Sequence, residues 1–406
     1  MTDAPPAAPP RPRLDSLDLL RGLVMVIMLL DHVRDFTHAA AFQFDPLDLA
    51  KTTPAIFGTR WITHFCAPVF VFLAGTGAWL QLQRGKSPGE LSRFLLSRGA
   101  WLVFLEFTAV RFGAMFQADY RFLGFMQVIW AIGISMIVLA ALVRLPWAVV
   151  LSIGLAMVLG HNALDGIRVA AWNGPESAVP SLTAKLWMVV HQGGAFPVAG
   201  WPSPVIMFFY PLLPWVGVMA LGFCFGKVYA LEPEARREWL LRLGAMMVLG
   251  FLILRASNLY GDPARWEPQR SALFTALSFL NCQKYPPSLL YLLVTLGPAM
   301  FALAWFEGGT RGPLGKAFIT FGRVPLFYYL LQWPTAHGFA WILHKLAGKP
   351  TEWMREPPFS PPPPGVGFDL WVVYAAWIVG VAMLYPLCKW FAGVKARRKE
   401  WWLSYL

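Results

Sequence analysis

Runs of about twenty apolar residues, separated by short polar connectors, dominate this chain and leave few folds open to it. Each is long enough to cross a bilayer as a helix, and a backbone in lipid must satisfy its own hydrogen bonds. Charged residues make up 14% of the 406, against roughly 25% in soluble chains, and the mean hydropathy is +0.51. These figures exclude an ordinary soluble domain. The expected fold class is all-α: a polytopic integral membrane helix bundle.

Ten spans are expected, at roughly 18–37, 61–82, 93–113, 122–143, 146–162, 204–229, 239–257, 286–306, 318–345 and 368–391. Residues 1–14, rich in Pro and Ala, read as a disordered cytoplasmic tail, because they offer too little apolar surface to pack. Residues 15–394 form the transmembrane domain, and 395–406 a basic cytoplasmic tail. The cluster Lys395, Arg397, Arg398 and Lys399 is a retention signal, and an even span count then puts both ends inside. Connectors 163–203 and 346–367 face outward. The second holds the run Pro361 to Pro364 and reads as an extended spacer. The first carries His191-Gln192-Gly193-Gly194, which suits either a lid over an outward-facing site or interfacial packing.

The net charge of +12 does not point to nucleic acid, since the basic residues gather at span ends rather than along one face. Cys66, Cys224, Cys282 and Cys388 are far apart and read as buried small apolar residues. There is no paired-cysteine or His-x-x-x-His spacing, so no metal site is expected. Walker and nucleophile-elbow motifs are also missing.

Charges inside a bilayer are costly, so each is a functional candidate. The first span is the richest, with Asp18 and Arg21 three apart near one end and Asp31-His32-Val33-Arg34-Asp35 near the other. His32 lies about 21 Å along the axis from Asp18. Asp31 or Asp35 can orient its imidazole. The second span opens with Arg60 and His64 on one face, and chain proximity brings them to the depth of His32. Asp31, His32, Arg34, Asp35, Arg60 and His64 are therefore expected in one wet pocket. Glu106, deep in the third span, needs a partner, for which Arg98 is the candidate. The ninth span places Tyr328 and Gln332 on one face, with Arg323 near one surface and His337 near the other.

The segment Asp15-Ser16-Leu17-Asp18-Leu19-Leu20-Arg21-Gly22 through His32, with Phe65 to Gly75, Tyr210 to Gly226 and Lys284 to Leu290, resembles the bacterial relatives of heparan-alpha-glucosaminide N-acetyltransferase. These belong to a wider group of transmembrane acyltransferases, and the likeness runs over about 15–390. It implies a multi-pass enzyme of a bacterial inner membrane that moves an acetyl group from cytosolic acyl-coenzyme A to an amine or hydroxyl of a sugar-type acceptor at the outer face. The implied partners are the lipid bilayer, acyl-coenzyme A and a carbohydrate or glycan-precursor acceptor, and a homodimer is compatible with this. The lysosomal enzyme uses a histidine in its first luminal connector. Here the connector Thr37 to Thr59 holds only His38, near its start, so that role finds no matching position. Acyltransferase 3 proteins have a histidine late in the first span after an Arg-Gly step, and His32 after Arg21-Gly22 is similar.

On this reading His32, oriented by Asp35 or Asp31, deprotonates the acceptor or takes the acyl group itself, while Arg60 and His64 position it or stabilise the oxyanion. Lys227, Arg311, Lys316 and Arg323 suit the coenzyme A phosphates, and the pantetheine arm threads past Tyr328 and Gln332. The alternative is a transporter or exporter of an anionic or sugar-like solute that uses the same pocket.

Overall fold

The computed structural model describes residues 14–309, 312–356, 362–398 and 400–406. The expected disordered tail therefore lies almost wholly outside the described residues, as do Arg311, Pro361 and Lys399. In chain order the helices are α1 (Asp15–Thr37), α2 (Pro54–Ile62), α3 (Cys66–Gln83), α4 (Pro88–Leu105), α5 (Arg111–Met115), α6 (Val128–Leu142), α7 (Trp147–Gly160) and α8 (Leu182–Trp187). They continue as α9 (Leu212–Phe225), α10 (Pro233–Ser257), α11 (Ala272–Leu280), α12 (Leu289–Phe306), α13 (Pro313–Arg323), α14 (Pro325–Leu346) and α15 (Leu370–Arg397). The chain is predominantly helical.

Among the described residues, six helical stretches are long and apolar enough to cross a membrane: Pro54–Gln83, Trp147–Leu164, Leu212–Ala230, Pro233–Ser257, Leu289–Phe306 and Leu370–Arg397. The other expected spans correspond to α1, α4 with α5, α6 and α14. Of these, α6 is short, and the rest carry charged or polar groups that lower their hydropathy. Apolar side chains such as Met246, Ile253, Ile378 and Trp371 project outward from α10 and α15, as lipid-facing helices require.

A small sheet corrects the purely helical expectation. Strands β1 (Phe122–Met126), β2 (Gly194–Pro197) and β3 (Val205–Phe208) stand in the order β1-β3-β2, with β3 parallel to β1 and antiparallel to β2. Two expected spans thus begin as strands and turn helical only at Val128 and Leu212. A short apolar run buried on both faces looks the same as strand or as helix. The expected ninth span is likewise two helices, because Pro325 disfavours helical geometry at Val324, which adopts φ −132°, ψ 49°.

Helix α1 runs through the middle, packed on α3, α12, α13, α14 and α15. Its closest neighbour is α13. A Cβ on Gly22 would lie 1.8 Å from the Phe318 carbonyl oxygen, and one on Gly322 would lie 1.8 Å from that of Asp18. The two backbones therefore touch, which only glycine permits. Gly75 and Gly222 repeat the arrangement between α3 and α9, with hypothetical Cβ contacts of 2.1 Å to the Met219 and Phe72 carbonyls. The four cysteines are free and buried.

The connectors are docked. The segment before α15 is pinned over the end of α1 by hydrogen bonds from Phe368 N to the Thr37 carbonyl (2.8 Å) and Ala39 N to the Phe368 carbonyl (2.9 Å), and to α14 by one from Gly367 N to His344 Nε2 (2.9 Å). The chain after α15 folds back on α4, where Tyr405 OH meets Ser97 Oγ at 2.6 Å.

Candidate active site

Two cavities flank the middle of α1. The first, of about 340 Å³, lies at the Arg21 end, and the second, of about 360 Å³, lies at the His32 end. Met28 and Val128 line both, so the two meet end to end. Arg21 and His32 are separated by about 17 Å along the helix.

Asp31 organises the second cavity. Its two oxygens accept from Arg60 Nη1 at 2.7 Å each, Oδ1 also accepts from Arg34 Nη2 at 3.0 Å, and Lys284 Nζ stands 3.9 Å from Oδ2. Arg34 bonds Asp35 as well, at 2.5 Å. Three cations thus surround two carboxylates: Arg60 and Lys284 line the cavity, while Arg34, expected there as well, is buried outside its lining. That surplus suits an anionic group or a developing negative charge, because low-dielectric surroundings strengthen fixed charges.

His32 lies in the same cavity, with its ring against the Trp333 indole at a centroid distance of 3.9 Å. Its Nδ1 is buried and has no hydrogen-bond partner among the described residues. The expected carboxylate orientation is therefore supplied differently. Asp31 and Asp35 are taken by arginines, and the Trp333 indole, tilted 38° to the imidazole, packs against it. A histidine so placed keeps a ring nitrogen for a proton or an acyl group.

His64 does not join this cavity. A turn of 3-10 helix over Thr63–Phe65 separates α2 from α3, and from this stretch it is Arg60 and Thr63, not His64, that reach the cavity. His64 instead sits against Tyr291 on α12, whose hydroxyl donates to the His64 carbonyl at 2.7 Å. Thr63, Cys66 and Ala67 line the cavity from this stretch.

The first cavity gathers Arg21, Arg98, Arg323 and Lys395 around an apolar interior. Arg21 Nη1 donates to Asp18 Oδ1 at 3.0 Å and to the Gly322 carbonyl at 3.2 Å, while Arg323 lies 3.6 Å from Asp15 and 3.9 Å from Asp18. Lys395 Nζ donates to the Leu406 backbone oxygen at 2.9 Å.

Of the other cations expected here, Lys227 sits over the Trp147 ring at 4.0 Å and lines neither cavity, Lys316 is exposed on α13, and Arg311 lies outside the described residues. Tyr328 and Gln332 do share a buried face of α14, but it turns away from both cavities. The neighbouring face is the one presented, with Tyr329 in the first cavity and Trp333 in the second. Sequence reasoning also missed Lys284 as a cavity residue, although it opens one of the segments that carry the resemblance. Glu106 pairs not with Arg98 but with the start of α6, accepting from Trp130 N at 2.9 Å. It acts there as a cap supplied by another helix.

The family model for the catalytic region of heparan-alpha-glucosaminide N-acetyltransferase matches residues 13–254, more than half of the chain. The chain belongs to the heparan-alpha-glucosaminide N-acetyltransferase family. It is a multi-pass membrane protein of an acetyltransferase family, and the match takes in the whole of α1, with Arg21, Asp31 and His32, as well as Arg60 and Arg98. Lys284, Arg323 and Trp333 come from the part beyond the match, so the family segment and the remainder build both cavities together. A search of curated proteins finds no match.

Proposed function

We propose that this protein moves an acetyl group from cytosolic acetyl-coenzyme A, held at the first cavity, to an amine or hydroxyl of a sugar-type acceptor in the second. One observation carries this reading: two cavities of similar size meet at Met28 and Val128, one ringed by arginine and lysine and the other holding His32. Arg21, Arg98, Arg323 and Lys395 suit the phosphates of the donor, since arginine forks match phosphate oxygens. The acyl thioester then reaches past Met28 towards His32. His32 takes the acceptor proton as general base, or attacks the thioester carbonyl itself, and Arg60 and Lys284 stabilise the oxyanion. The coenzyme A thiolate leaves on the donor side with a proton.

In this reading the chain crosses a bacterial inner membrane ten times with both ends in the cytosol, as the basic cluster Lys395, Arg397, Arg398 and Lys399 favours. The test is release of free coenzyme A from acetyl-coenzyme A by the purified protein in detergent, with sugar acceptors supplied, for wild type and His32→Ala. Release that vanishes in the variant while coenzyme A still protects it against melting supports the proposal. No release and no protection in the wild type overturn it.

A further inference from the structure

The connector between α7 and β2 carries a second cluster that acetyl transfer does not use. Helix α7 ends in a 3-10 turn, His161–Leu164, which leaves His161 pointing inward with Asp165 four residues on. His191 stands on a single π-helical turn, Met188–Gln192. One ligand atom from each of His161, Asp165 and His191 lies within 4.8 Å of the other two. His191 Nε2 and Asp165 Oδ1 are 3.0 Å apart. Both ring nitrogens of His161, a residue only 1% exposed, lack a hydrogen-bond partner among the described residues. A buried imidazole with two idle nitrogens beside a histidine-carboxylate pair is costly unless something fills the space between them.

We propose that His161, Asp165 and His191 bind a divalent first-row metal ion, with zinc as the best match to two imidazoles and a carboxylate. The ion takes the place of the proton shared by His191 and Asp165. Small rotations bring the ligand atoms to bonding distances of about 2.0–2.2 Å. A supporting shell is already present: Asn162 Nδ2 donates to Asp165 Oδ2 at 2.8 Å, and its Oδ1 accepts from Leu289 N at 2.8 Å, which ties the carboxylate to the start of α12. Gln192, next to His191, bonds both the N–H and the carbonyl of Val169.

Three protein ligands leave a coordination position open. Asp165 and His191 also line a cavity of about 100 Å³ that shares Tyr285 with the His32 cavity. The metal therefore clamps the connector to the end of α7, next to the wall of the acceptor cavity. His-x-x-x-His spacing is missing because the second histidine arrives from 30 positions further along, on another element.

The test uses the full-length protein in detergent, freed of any affinity tag and stripped with a chelator, then titrated with Zn²⁺ against a chromophoric competitor. One tight equivalent per chain is expected. Asp165→Asn and His161→Gln should each weaken it by at least about 100-fold, and Asn162→Ala by about tenfold. Wild-type binding no tighter than that of the double variant His161→Gln/His191→Gln overturns the proposal. Should those variants fail to fold, cobalt-loaded wild type decides. The intense visible absorption of a four- or five-coordinate Co²⁺ site supports the proposal, and only the weak spectrum of octahedral Co²⁺ refutes it.

Discussion

Replacing Asp31 by asparagine keeps the side-chain shape and removes one charge from a group that faces three cations. In the wild type, Arg60 is held by two bonds of 2.7 Å, Arg34 by one of 3.0 Å, and Lys284 stands 3.9 Å away. The side chains of Asp31 and Arg60 are 11% and 13% exposed, so water compensates little. Removing one partner of a buried ion pair costs about 3–5 kcal/mol, which is roughly two to four decades in the unfolding equilibrium. The assay is equilibrium unfolding in mixed micelles, run for Asp31→Asn, Lys284→Met and the double variant. Lys284→Met alone should cost less, because its contact is the longest and Asp31 keeps two arginines. Combined with Asp31→Asn it removes a stranded cation, so the double variant should recover roughly 1–2 kcal/mol relative to the sum of the singles. A loss below about 1 kcal/mol for Asp31→Asn, within the range of ordinary substitutions, would refute the reasoning. Strict additivity would refute it too.

Gly322→Ala puts a methyl group 1.8 Å from the Asp18 carbonyl oxygen, so α13 must retreat from α1. A loss of about 1–3 kcal/mol is expected in detergent melting, and an unchanged midpoint would contradict the close approach. Trp333→Leu removes the ring under His32 and should lower acetyl transfer by at least about tenfold through misplacement, while protection by coenzyme A stays as in wild type. Arg98→Gln with Arg323→Gln should raise the KM for acetyl-coenzyme A by at least about tenfold, equivalent to 1.4 kcal/mol, with kcat little changed. A fall in kcat at constant KM would move these arginines away from the donor.

Much of the helical architecture could be read from apolar runs alone, and so could the gathering of Asp31, His32, Arg34, Asp35 and Arg60. Helical spacing fixes which residues of one element share a face, and chain proximity brings α2 beside the end of α1. What spacing does not fix is which face turns inward. Tyr328 and Gln332 form a real face of α14, yet rotation by one residue presents Tyr329 and Trp333 to the cavities instead. His64 escaped for a related reason, because it stands in the 3-10 turn that begins at Thr63, where the 3.6-residue period of α2 has ended. Lys284 arrives from more than two hundred positions away, and no local pattern announces such a contact. The strands β1 and β3 hid inside runs whose composition also fits a helix.

Met28 and Val128 stand where the two cavities meet. Both side chains line the two cavities alike, so on the proposed reading whatever passes from one cavity to the other passes between them. Valine is stiff at its first torsion, whereas methionine is unbranched and adaptable. That passage thus has one rigid jaw and one soft one. A group small enough to displace a thioether can therefore pass between the two and let the methionine close behind it.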